Sequence, residues 1–197
     1  MVTDMLERCF QPAPASVANE APWLRAGRES RIRGSRYLML LLAAVSAVAP
    51  AHAMQPPAMA PRSEQADRIR VDKSERRMEL LRDGRVLKRY TIWLGDAPVG
   101  HKRQQGDERT PEGEYRISGR NPNSRFHLSL RISYPDAADR KQARTRGVDP
   151  GGDIFIHGGN SVLTPFDWTD GCIAVTDAQI EEVWRLVPTG IPIRIDP

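Results

Sequence analysis

The chain is poor in cysteine, in aromatic residues and in long apolar runs, and each shortage excludes something. Only Cys9 and Cys172 occur among 197 residues, too few for a disulfide framework of the kind that holds small secreted folds together. His101, His127 and His157 are scattered with no metal-ligand spacing, so neither a metal nor another cofactor is expected. Aromatics make up 6% of the residues, and none interleaves with the basic residues as a stacking platform for bases. The formal charge of +4 shrinks to +2 from Met54 onward, where 23 Lys and Arg face 21 Asp and Glu. These charges are interleaved rather than blocked, so nucleic acid is set aside as a partner.

The longest apolar stretch, Tyr37 to Ala49, has 13 residues. As a helix it would rise about 20 Å, short of the roughly 30 Å hydrocarbon core, which favours a cleaved signal over a permanent membrane anchor. Arg25, Arg28, Arg31, Arg33 and Arg36 precede this stretch and Ala51-His52-Ala53 follows it. That order is the n-region, h-region and A-x-A site of an export signal. Residues 1–53 are therefore expected to be a leader cleaved after Ala53, which touches the membrane only during export. The mature protein would then be periplasmic or in the cell envelope. Residues 54–66, rich in Pro, Ala and Met at their start, read as a disordered tether. Residues 67–197 form the one domain, since a chain of this length can bury a single core.

Within that domain the pattern is one of short alternating runs. Ile69 and Val71, Met78 and Leu80, then Tyr90, Ile92 and Leu94 alternate with polar residues, and Asp83-Gly84 between the last two runs signals a hairpin. Gly95 to Gly113 has the composition of a long loop, and a loop of that length in a compact domain tends to be a lid or a binding loop. His101 falls in it and reads as an exposed loop histidine. Glu114 to Ile117 reads as a strand, and Phe126, Leu128, Leu130 and Ile132 form a period-two stripe with His127 on the opposite face, in a surface or structural role. Asp136 as N-cap and Gly147 as stop bound a short surface helix. Ile154-Phe155-Ile156 reads as a buried central strand. Thr176-Asp177-Ala178-Gln179 is a capping box opening a helix whose stripe is Ile180, Val183, Trp184 and Val187. The last alternation, Ile191, Ile193 and Ile195, contains Pro192 and reads as an edge strand, where proline is tolerated. The expected fold is mainly β, a β-rich α+β domain with one or two short helices.

The chemistry concentrates between Ile154 and Val175. Cys172 is the only thiol left after loss of the leader, and His157 lies 15 residues before it at the end of an apolar run. A thiol is a strong nucleophile only as thiolate, and an imidazole is the usual base that produces it at neutral pH. The bland alternative is a lone cysteine serving as a small buried hydrophobe. Gly171 before the thiol and the upstream histidine favour chemistry instead. Gly171 permits close approach of a substrate, and its amide and that of Cys172 are candidate oxyanion donors.

The segments Ile156-His157-Gly158 and Thr169-Asp170-Gly171-Cys172-Ile173 resemble the HG…[S/T]HGC signature of the L,D-transpeptidase catalytic domain, the YkuD domain. Gly106 to Tyr115, with Thr110-Pro111-Glu112-Gly113 at its centre, resembles the TPxG turn of that family, and Ser133-Tyr134-Pro135 and Gly151-Gly152-Asp153 fit it too. The resemblance covers roughly Arg68 to Ile195. It implies a sandwich-like β fold and action on peptidoglycan stem peptides. A cysteine would attack after the L-centre of the third residue, release D-alanine and pass the acyl group to an amine. That amine is another stem in a 3→3 cross-link, a lysine of an envelope lipoprotein, or a free D-amino acid. By resemblance Cys172 is the nucleophile, His157 the base, and Gly158 the third member through its carbonyl. Thr169 holds a position where a structural hydrogen bond is its expected use. Two positions depart from the family: Asp170 stands where His is common, and Ala174 where Arg often follows. An acid there opposes thiolate formation unless it points away or pairs with a substrate cation. Water as acceptor would make the enzyme a carboxypeptidase or amidase. A non-catalytic wall-binding module would need neither Cys172 nor His157.

Overall fold

The computed structural model describes residues 55–159 and 166–197; the expected leader and its cleavage site lie outside the described residues. Alternating apolar residues produce strands β1 (Arg68–Asp72), β2 (Arg77–Arg82) and β3 (Arg85–Thr91), paired antiparallel. Asp83 and Gly84, both with positive φ, form the tight turn between β2 and β3. A long strand β4 (Gly113–Ser124) folds back on β5 (His127–Ile132), followed by helix α1 (Ala137–Arg146). Then come β6 (Phe155–His157), β7 (Ile173–Ala174), helix α2 (Asp177–Leu186) and β8 (Pro192–Asp196). The strands lie in the order β3-β2-β1-β8-β4-β5-β6-β7 in one eight-stranded sheet. The sheet curls around its core, giving the mainly β architecture with two helices that the sequence pattern implies.

Three expectations are corrected. The strand containing Pro192 lies inside the sheet, parallel to β1 and antiparallel to β4. Proline is accommodated because Pro192 is the first residue of β8, opposite Arg116 at the end of the β4 ladder, so no interior hydrogen bond is lost. Ile193 and Ile195 are fully buried. The Ile154 to Ile156 run is buried as expected, but β6 lies next to the last strand in the sheet order, covered by packing rather than by central placement. The segment read as a disordered tether is docked from Ala60 onward. Ala60 and Ala66 are buried, and their amides donate to the Arg185 and Leu186 carbonyls at 2.9 and 2.8 Å. Those carbonyls end α2 and need donors from outside the helix, which the segment supplies.

Both helices carry their expected caps. Asp136 accepts from the Ala138 and Asp139 amides, and Gly147 closes α1 in the left-handed conformation. Thr176 and Gln179 form the reciprocal box at α2, whose Ile180, Val183 and Trp184 are buried. Burial of each such side chain stabilises the domain by about 1.5–3 kcal/mol. The same contacts fix where α2 begins.

Candidate active site

Strand register places His157 and Cys172 on one face of the sheet. β6 and β7 run parallel, with Ile156 opposite Ile173 and His157 opposite Ala174. Side chains alternate between faces. Ile154, Ile156, Ile173 and Val175 enter the main core, whereas Phe155, His157, Cys172 and Ala174 are buried outside it. Cys172, two residues before Ala174, therefore shares the face of His157. Its Sγ donates to the Asp153 carbonyl at 3.6 Å. Asp153 and Arg131, an ion pair at 2.9 Å, line a cavity of about 350 Å³ with Gln105, Asp149 and Gly151. The thiol residue is 6% exposed, and its hydrogen-bond acceptor borders this opening.

The imidazole of His157 is 2% exposed. Phe126 stacks on it with centroids 4.5 Å apart and planes at 28°, and Trp168 meets it edge-on at 5.7 Å. Burial lowers its pKa from 6.5 to about 4, with the hydrogen bond to Gly158 opposing. The ring is thus neutral at pH 7. Nδ1 lies 2.6 Å from the Gly158 carbonyl oxygen. That oxygen can only accept, so Nδ1 carries the proton and Nε2 carries the lone pair.

Gly158 and Gly159 are tightly enclosed. A Cβ on Gly158 would lie 2.7 Å from Asp177 Oδ1 and 2.8 Å from an Ile180 methyl; one on Gly159 would lie 2.7 Å from the Phe126 ring. The Gly159 amide donates to Asp177 Oδ1 at 2.6 Å. Phe126 reaches the site from the β4–β5 hairpin, where Ser124 pairs with His127. His127 there has φ of 69° and its Nε2 lies 2.7 Å from Glu181 Oε1 on α2. The period-two stripe holds for Leu128, Leu130 and Ile132, which are buried in the core, but not for Phe126: the positive φ of His127 breaks the alternation, and Phe126 turns onto His157 instead.

Thr169 organises the turn before the thiol. Its hydroxyl donates to the Cys172 carbonyl at 2.7 Å and accepts the Gly171 amide at 3.2 Å. The Gly171 amide is thereby engaged inside the turn, which corrects the expectation that it is an available oxyanion donor; Thr169, 4% exposed, likewise faces the turn. Asp170 is half-buried and sits beside Asp96, because Gly95 and Thr169 are bridged in parallel. Burial raises its carboxyl pKa, Asp96 raises it further, and Lys102 opposes both. The charge that acts on Asp170 is thus a second acid, a proximity no sequence motif announces.

The 95–113 loop is packed directly on this turn. Gly171 has φ of 113°, and a Cβ there would fall 2.5 Å from the Arg109 carbonyl; one on Gly95 would fall 1.8 Å from the Glu108 carbonyl. Two lysines pin the loop. Lys73, 2% exposed, donates to the Gly100 and Thr110 carbonyls and to Glu112 at 2.8 Å. Burial lowers the Lys73 pKa, with Glu112 opposing. Lys102 pairs with Asp107 at 2.8 Å, and Asp107 also accepts the Arg103, Gln104 and Arg109 amides. His101 is half-buried, not exposed as expected. Its Nδ1 accepts the Glu112 amide at 3.0 Å and its Nε2 lies 3.1 Å from Asp139, which ties the loop to α1.

The family model of the L,D-transpeptidase catalytic domain (YkuD) matches residues 66–195. The chain belongs to this family. A curated relative from Escherichia coli (strain K12), named "Putative L,D-transpeptidase YafK", is 30% identical over 125 residues, covering 60% of this chain and 46% of its own. The chain spans about half the length of the curated relatives it matches. Among solved structures, the helical cell shape determining protein Pgp2 from Campylobacter jejuni aligns with a TM-score of 0.53 at 22% identity, over 65% of this chain and 46% of that one. Bd1075 of Bdellovibrio bacteriovorus aligns with a TM-score of 0.50 at 21% identity, over 72% and 51%. These two likenesses concern the fold.

Proposed function

We propose that this chain is an exported cysteine acyltransferase acting on peptidoglycan stem peptides, with Cys172 as nucleophile, His157 as base and the Gly158 carbonyl as the group that orients the base. The observation that carries this reading is the buried neutral imidazole, with Nδ1–H fixed on Gly158 and an unprotonated Nε2 on the face that Cys172 shares. The S–H hydrogen leaves the Asp153 carbonyl for Nε2, and the thiolate attacks the carbonyl carbon after the L-centre of the third stem residue. His157 returns the proton to the nitrogen of the departing D-alanine as the C–N bond breaks, leaving a thioester on Cys172. An acceptor amine then attacks the thioester, its proton passing to His157, and the thiol is released. The cavity beside Asp153 is the approach for the stem.

The lipoprotein lysine and the free D-amino acid are alternative acceptors to a second stem. The test is to incubate purified tetrapeptide stems with the protein and analyse the products by mass. Cross-linked dimers with release of D-alanine are expected, and Cys172→Ala abolishes both while leaving the fold intact. Trimmed monomers without dimers would make water the acceptor, and turnover by Cys172→Ala would end the cysteine mechanism.

A further inference from the structure

We propose that Asp177 is a positioning residue for His157, acting through the Gly158–Gly159 peptide group. The proposal rests on the reading that His157 serves Cys172. The Gly158 carbonyl and the Gly159 amide belong to one planar unit, in which C=O and N–H point in opposite directions. The carbonyl accepts from His157 Nδ1 at 2.6 Å, and the amide donates to Asp177 Oδ1 at 2.6 Å. A continuous path therefore runs from the carboxylate through the peptide to the imidazole. Each hydrogen bond in such a chain polarises the next. As His157 takes the thiol proton and becomes an imidazolium, the negative charge at Asp177 favours that state through the peptide dipole. An aspartate in a serine-protease triad does the same by direct contact. Here two glycines stand between the acid and the ring.

The placement of Asp177 is more than a helix requires. Thr176 accepts the Gln179 amide and the Gln179 side chain returns to the Thr176 amide, so the cap of α2 is complete without the Asp177 side chain. Asp177 Oδ1 instead turns back to Gly159, outside the helix. Glycine at 158 and 159 is what allows this approach, since any Cβ would collide with Asp177, Ile180 or Phe126. Phe126 closes the other side of the same segment. The peptide plane is thereby fixed between the hairpin tip and the first turn of α2.

The test measures Cys172 alkylation by iodoacetamide against pH in the full chain, beside turnover of stem peptides. Asp177→Asn keeps an acceptor for Gly159 but removes the charge, and Asp177→Ala removes both. The inflection of alkylation is expected to move up by roughly one pH unit in Asp177→Asn. Turnover is expected to fall about 10-fold in Asn and about 100-fold in Ala, in kcat with KM unchanged. Thr176→Ala weakens the same helix end but leaves the carboxylate, so it should lower thermal stability without moving the inflection. His157→Ala separates the two claims. If His157→Ala shifts the profile and both Asp177 variants leave it in place, the Asp177 proposal is overturned alone. If His157→Ala leaves the profile in place, the reading of the His157–Cys172 pair falls, and this proposal with it. A shift in Thr176→Ala equal to that in Asp177→Asn would also overturn it, because the effect would then belong to the helix end.

Discussion

The nucleophile and the base are held by two different devices. Around Cys172 the backbone of the 95–113 loop lies so close to Gly95 and Gly171 that shape alone fixes the turn, and buried lysines hold the loop in place. Around His157 the holding is directional: a stacked ring, one hydrogen bond to a carbonyl and a second behind that carbonyl. The difference follows from what each group has to do. A nucleophile needs a fixed position against its target, whereas a base needs a fixed tautomer and a tunable charge. Damage to the first region should therefore remove activity outright, and damage to the second should move its pH dependence.

The largest effect is expected at Gly171. Gly171→Ala places a methyl 2.5 Å from the Arg109 carbonyl at a φ of 113°, so the turn must shift, and stem-peptide turnover should fall by at least about 100-fold. Next comes Lys73. Lys73→Met strips Glu112 of its partner and leaves two carbonyls without a donor. A denaturant titration should show a loss of about 2–3 kcal/mol, below the roughly 3–5 kcal/mol of breaking a fully buried pair because Glu112 is partly hydrated. Activity should fall with it as the loop leaves the turn.

The base region is expected to answer in pH. The folded-state pKa of His157, about 4, lies below the ordinary 6.5. As pH falls, the unfolded chain takes up the proton first, so stability is full above about 6.5 and declines toward about 4. The loss across that window is about 3 kcal/mol, readable by denaturant titration at pH 7 and pH 4. Phe126→Ala admits water to the ring, raises its pKa and shrinks the loss, with a smaller effect at pH 7. The smallest effect belongs to Asp170→Asn. Removing an acid whose pKa is raised by burial and by Asp96 should change turnover less than about 10-fold and displace the pH profile slightly toward acid.

The same contrast separates what could be read from the sequence. Local signals were legible: Asp83-Gly84 made its hairpin, Asp136 and Gly147 bounded α1, and the Thr176 box opened α2. The His157 and Cys172 segments were legible by resemblance to a family. Contacts between distant segments were not. Pro192 suggested an edge because its place at the end of the β4 ladder is a matter of register. Ala60 and Ala66 gave no pattern because they pair with helix-end carbonyls. Asp177 looked like part of a cap because its partner is a backbone amide 18 positions away. The Gly171 amide looked available until the Thr169 hydroxyl was placed beside it.

The most direct test of the central claim is intact mass after acid quenching of a reaction with tetrapeptide stem. The account predicts a tripeptide acyl adduct on Cys172, absent in Cys172→Ala and strongly reduced in His157→Ala. An adduct on any other residue, or product formation with no dependence on Cys172, would contradict it.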